Sequence, residues 1–184
     1  MRNELPKVTG IVRLAFFLCT AIVTVASPCV AADRYVRAVV DQAGVLRIET
    51  SAGRAIVPAK ESGQVGVDKV AISPDGRAVG WVALFPNCCT SYPIPLKLVV
   101  YSDGKRRAFT GTGLPVWRWH FTAGGRQIAF EQETVHGGLG VHYELRDVAS
   151  GRSIAEWEPT IGPDNQPLEN QQMPTWASDL DAKQ

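Results

Sequence analysis

The sequence predicts an all-β protein assembled from antiparallel meanders, and three observations carry that prediction. Short runs rich in Val, Ile and aromatic residues recur along the chain: YVRAVV (35–40), VLRIET (45–50), VAIS (70–73), AVGWVALF (78–85), LKLVVY (96–101), VWRWHF (116–121), QIAFEQETV (127–135) and VHYELRDV (141–148). Between them stand DQAG, SAGR, SPDGR, SDGK, AGGR, HGGLG and ASGR, clusters whose glycines supply the positive φ that tight hairpins need. Beyond the N-terminal region no segment sustains a 3.6-residue apolar period. The chain from Pro159 onward, PTIGPDNQPLENQQMPTWASDLDAKQ, is rich in Pro, Asn and Gln and predicts mostly irregular structure.

Internal repetition sharpens the prediction. ISPDGRAVGW (72–81) lines up with FTAGGRQIAF (121–130), and each is followed by a second matched unit. LVVYSDGKRRAF (98–109) parallels YELRDVASGRSIAEW (143–157), and LRIETSAGRAIV (46–57) is a third copy. A complete unit is a strand, a glycine turn and a strand, then a longer connection to another strand–glycine–strand. That is a four-stranded antiparallel meander.

VAISPDGRAVGWV followed by LVVYSDGKRRAF resembles the WD40-like repeat of TolB-type β-propellers, over about residues 65–158 with a weaker half-repeat at 35–57. The first copy keeps Ser73-Pro74-Asp75-Gly76, whereas the second reads Thr122-Ala123-Gly124-Gly125 and lacks the Pro and Asp. PTWASDL (174–180) reads as the opening of another repeat. The resemblance implies blade-like sheets, and in such repeats these residues make turns rather than chemistry. Propellers close with about 4–8 blades. Two full repeats and a partial one therefore predict an open blade stack or a β-sandwich-like arrangement, with closure by oligomerisation as the other solution. A compact monomer or dimer is favoured over a multi-chain ring. Uncovered sheet edges invite pairing with another chain, so partner binding or self-association is expected.

Residues 1–32 read as a Sec-type signal peptide. Arg2, Lys7 and Arg13 precede the apolar run LAFFLCTAIVTVA, after which Pro28 and the small residues of VAAD follow. The run falls short of the ~20 residues that span a bilayer. Cleavage after Ala32 puts Val30 at −3, and cleavage after Ala31 fits nearly as well. The expected organisation is a signal peptide (1–32), a β-repeat domain (33–158) and a tail (159–184), with the mature protein periplasmic or secreted. Arg2, Lys7, Arg13 and Glu4 leave with the signal, turning a formal charge of +1 into −1. A near-neutral chain offers no electrostatic footprint for nucleic acid and no polybasic membrane patch. No membrane span is expected after cleavage.

Of four cysteines, Cys19 and Cys29 lie in the signal, which leaves Cys88 and Cys89 in an oxidising compartment. They sit in FPNCCTSYPIP (85–95), a proline-bracketed insertion longer than a tight hairpin needs. A vicinal disulfide, two free thiols and an intermolecular bridge all remain open. Adjacent side chains of a regular strand point to opposite faces, so pairing requires the bent backbone that Pro86, Pro93 and Pro95 favour. Long structured loops are where function concentrates, and Asn87, Cys88, Cys89, Thr90, Ser91 and Tyr92 are the candidate binding surface. The other reading is a stiffened loop that covers a sheet edge.

The segment EQETVHGGLGVHYELRD (131–147) places His136 and His142 near Glu131, Glu133 and Glu144. With Gly137–Gly140 as a four-residue turn, His142 pairs with Val135 and the two imidazoles point to opposite faces. These histidines are the residues a metal reading would use, and a solvated hairpin face is the favoured one. VWRWHF puts Trp117, Trp119 and Phe121 on one face and Arg118 and His120 on the other, a stripe that reads as core rather than a carbohydrate platform. No GxSxG, P-loop, HExxH or dinucleotide fingerprint occurs, and no cofactor is implied. The sequence thus favours a non-enzymatic binding module for a protein or envelope ligand. A small-ligand or metal-dependent enzyme built on the 131–144 hairpin and a self-associating structural subunit are the alternatives.

Overall fold

The computed structural model describes residues 33–136, 140–164 and 166–182. The expected signal peptide, residues 1–32, lies outside them, as do residues 137–139, 165, 183 and 184. Eleven strands and one α-helix follow in order: β1 (Tyr35–Val40), β2 (Leu46–Thr50), β3 (Ala55–Ile56), β4 (Gly66–Ile72), β5 (Ala78–Phe85), β6 (Ile94–Ser102), β7 (Lys105–Phe109), β8 (Val116–Thr122), β9 (Gln127–Gln132), β10 (His142–Asp147), β11 (Ser153–Trp157) and α1 (Thr175–Ala182). They make three antiparallel meanders, β1-β2-β3, β4-β5-β6-β7 and β8-β9-β10-β11, none closed into a barrel. The protein is an open stack of three blade-like sheets. The two copies of the long repeat are its second and third sheets, and the third copy, 46–57, is β2 and β3. The first sheet is thus a repeat without its first strand.

Two apolar layers bind the stack. Tyr35, Leu46 and Ile48 of the first sheet pack on Val79, Trp81, Ala83 and Val99 of the second. The opposite face of the second sheet presents Val82, Leu98, Val100 and Phe109 to Val116, Phe121, Ile128 and Phe130 of the third. Strand β5 is buried on both faces, which is why AVGWVALF reads as an unbroken apolar run rather than an alternating one.

Both outer faces are finished differently. On the first sheet Arg37 pairs with Glu49 and Arg47 with Asp41, with Arg37, Glu49 and Arg47 well exposed, so that face is polar and meets water. On the third sheet Ala129, Tyr143 and Leu145 are apolar, and Ala177 and Leu180 of α1 cover them, with Met173 and Trp176 beside. This differs from the irregular tail the composition predicts, and PTWASDL opens a helix rather than another repeat. Pro174 sits just ahead of the helix, where its missing N–H costs nothing; its carbonyl accepts from the N–H groups of Ala177 and Ser178. Trp176, Ala177 and Leu180 then fall on one helical face.

Candidate functional site

The β5–β6 ladder ends at Phe85 opposite Ile94, and residues 86–93 loop out beyond it. Side chains of the loop tie it to itself. Asn87 donates through Nδ2 to Thr90 Oγ1 at 3.1 Å and accepts from the Cys89 N–H, and the Thr90 hydroxyl donates to the Tyr92 carbonyl at 2.6 Å. Asn87 and Thr90 are half-buried as a result, whereas Cys88, Cys89, Ser91 and Tyr92 are exposed, Tyr92 to 49%. The bent backbone brings Cys88 Sγ to 2.6 Å from Cys89 Sγ, in the dithiol form. That contact pushes the Cys89 thiol above its ordinary pKa. All six residues singled out in the sequence therefore share one small, internally bonded projection.

The loop leaves the end of the stack opposite the glycine turns. Asp75 and Arg77, Ser102 and Asp103, Gly125 and Arg126, and Asp147 with Val148 and Ala149 line one cleft of about 230 Å3. The β4–β5, β6–β7, β8–β9 and β10–β11 turns thus gather at one end, and the 86–93 loop lies at the other.

The 131–144 segment departs from the predicted hairpin. His142 pairs with Gln132, not with Val135, because the chain beyond Gln132 turns away toward β8. The Glu133 N–H donates to the Pro115 carbonyl at 3.1 Å, and the Trp117 indole N–H donates to the Glu133 carbonyl at 3.0 Å. The two histidines consequently lie apart in environment: His136 is exposed, while His142 is 6% exposed in the interior. Among the described residues no three His, Cys, Asp or Glu side chains are grouped so as to hold a metal ion.

His142 instead belongs to a buried polar cluster that the alternation HYELR reads as a water-facing stripe. His142 Nδ1 lies 2.6 Å from Glu158 Oε1 and Nε2 3.2 Å from Glu144 Oε1. Glu144 is 2% exposed and accepts from Arg146 Nε at 2.5 Å. The Arg146 guanidinium lies 5.5 Å from the centre of the Phe109 ring of β7, so this face of β10 looks into the second sheet, not into solvent. Beside it Gln132, fully buried, donates to the carbonyls of Thr110 and Leu114 and accepts from the Thr112 N–H. These bonds pin the β7–β8 connection to the third sheet. On the other face of β9, Glu131 is ion-paired with Arg118.

Gly111 makes that pinning possible. It adopts φ +47°, and a Cβ there would overlap Gln132 Oε1 and Glu144 Oε1. Gly111→Ala is expected to lower stability by about 2–3 kcal/mol, combining the left-handed backbone penalty with displacement of a bonded amide. Urea unfolding measures it; a loss under about 0.5 kcal/mol, the range of a neutral surface change, would show that Gln132 holds nothing.

The aromatic stripe divides. Trp119 and Phe121 pack edge to face in the core, their ring centres 5.4 Å apart. A bulge between Val116 and Arg118 shifts Trp117 out of register with them. No helix among the described residues is long and apolar enough to cross a membrane. The chain matches no protein-family model, and no curated protein matches it.

Proposed function

We propose that the protein is an exported, non-enzymatic module of TolB-like repeats whose 87–92 loop binds a protein or cell-envelope partner. The carrying observation is the loop itself: Tyr92 and the adjacent sulfurs of Cys88 and Cys89 stand exposed on a projection braced by Asn87 and Thr90. A rigid, partly aromatic projection loses little conformational entropy on binding. In the 131–144 segment, by contrast, Glu131, His142 and Glu144 are tied to Arg118, Glu158 and Arg146, and His136 is exposed and set apart from His142, which weighs against an enzyme there. Signal cleavage near Ala31 or Ala32 leaves Cys88 and Cys89 as the cysteines of the exported chain, and export favours their vicinal disulfide.

Two measurements test this reading. Protein recovered unreduced from the periplasm is expected to begin at Ala32 or Asp33 and to weigh two hydrogens less than its dithiol, with no alkylation at Cys88 or Cys89. A photo-crosslinking residue in place of Tyr92 is expected to give one discrete adduct in the envelope, while the same residue in place of Lys105, at the opposite end, gives none. Equal labelling from both positions, or no adduct from either, removes the loop from the binding surface.

A further inference from the structure

We propose that the cleft between the turns of the second and third sheets binds a free α-amino acid. This site lies at the opposite end from the 87–92 loop and does not depend on it. Its volume, about 230 Å3, is below the ~300 Å3 at which drug-sized pockets begin, which suits a small ligand.

The charges on its walls decide the chemistry. Asp75 and Asp147 are already committed to their own turns. Burial works to raise the Asp75 carboxyl, but hydrogen bonds from the Ser73 hydroxyl and the Arg77 N–H outweigh it and hold the group below the usual carboxylate range. The Ser150 hydroxyl and N–H do the same for Asp147. Four other polar side chains on the wall make no ion pair or hydrogen bond among the described residues. Arg77 and Arg126 form no ion pair with a carboxylate among the described residues, and the Asp103 carboxylate accepts no hydrogen bond from them. Ser102 is only 5% exposed, yet its hydroxyl has no hydrogen-bond partner among those residues. The hydroxyl is therefore free to bond a ligand at this wall.

Neither a simple anion nor a simple cation suits such a wall. Three carboxylates would repel a phosphate, and two guanidinium groups would repel an amine. No three His, Cys, Asp or Glu side chains among the described residues are grouped so as to hold a metal. A zwitterion satisfies both signs. Its carboxylate lies on the Arg77 and Arg126 forks, which suit carboxylate geometry, and accepts from Ser102. Its ammonium lies on Asp103, and its side chain rests against Ala78 and Val148, both buried and apolar. A wider depression beside the first sheet shares Arg77 and Asp103 on its wall and gives the approach.

The test is an amide chemical-shift titration of the mature protein with L-valine, L-serine and L-glutamate, each alongside its N-acetyl and its carboxamide form. At least one free amino acid is expected to give saturable shifts at Ser102, Asp103 and Gly125 with a millimolar Kd, and both capped forms to bind at least tenfold more weakly. Arg126→Gln, an exposed position, is expected to weaken binding at least tenfold with an unchanged urea midpoint. Absence of shifts with all three amino acids overturns the proposal. So does an N-acetyl or carboxamide form that binds as well as the free compound, since the site would then read one charge only. Retained affinity in Arg126→Gln overturns it as well.

Discussion

Glu144→Ala is expected to destabilise the protein by about 3–5 kcal/mol, the range for removing one partner of a buried charge pair. Glu144 is 2% exposed and sits between His142 and Arg146, at 3.2 and 2.5 Å. Its loss leaves the Arg146 cation beside the Phe109 ring with only the Gly151 carbonyl as a protein partner, and takes from His142 one of its two carboxylates. The cost is therefore mostly that of stranded groups and not of the lost attraction. A double variant separates the two contributions. Glu144→Leu with Arg146→Met removes both charges and keeps the volume, so it should lose less than Glu144→Ala alone. Urea unfolding at neutral pH reads both. A single variant within about 1 kcal/mol of wild type would mean that water reaches the cluster and that the sheets do not depend on it.

Gly80→Val is expected to cost about 3 kcal/mol, the upper end of ordinary overpacking, and to loosen the second sheet from the third. The Trp119 indole lies directly over Gly80: a Cβ there would stand 2.5 Å from Cη2 and 2.8 Å from Cζ3. Gly80 is central in β5, paired with Ala71 on one side and Val100 on the other, so the backbone cannot retreat along the sheet. Trp119 must move instead, and Phe121 packs edge to face against it. The readout is twofold, a lower urea midpoint and a red shift of tryptophan emission as the indole gains water. Gly80→Val together with Trp119→Leu should recover part of the loss, because the second change vacates the space the first one fills. No recovery would place the strain elsewhere in β5.

How far the sequence disclosed this molecule depends on which physical signal each part emits. Strands and glycine turns are local. YVRAVV and AVGWVALF appear as β1 and β5 with the boundaries their composition implies, and the repeat correctly equated β4 and β5 with β8 and β9. Helix α1 emitted almost nothing, since an eight-residue segment cannot display a 3.6-residue period convincingly. Its need was visible only from the other side, in a third sheet whose outward residues Ala129, Tyr143 and Leu145 are apolar. The buried cluster misled for a related reason. Alternation in HYELR identifies two faces of β10, but which face meets water is decided by neighbours far along the chain. The polar face met the second sheet and the apolar one met the helix. The 87–92 loop was legible as an insertion bracketed by prolines. The turn-end cleft was not, because it exists only when turns from two sheets come together.

The covering of the third sheet by α1 also has a consequence in time. Polypeptides are made from the N-terminus, so residues 175–182 emerge after all eleven strands. Until they do, a chain that already holds all eleven strands still shows Tyr143 and Leu145 to the surroundings. A chain shortened before Pro174 would thus hold every strand of the stack and keep an adhesive face. Such a product is one that chaperones and proteases, which read exposed apolar surface, would distinguish from a chain that carries α1.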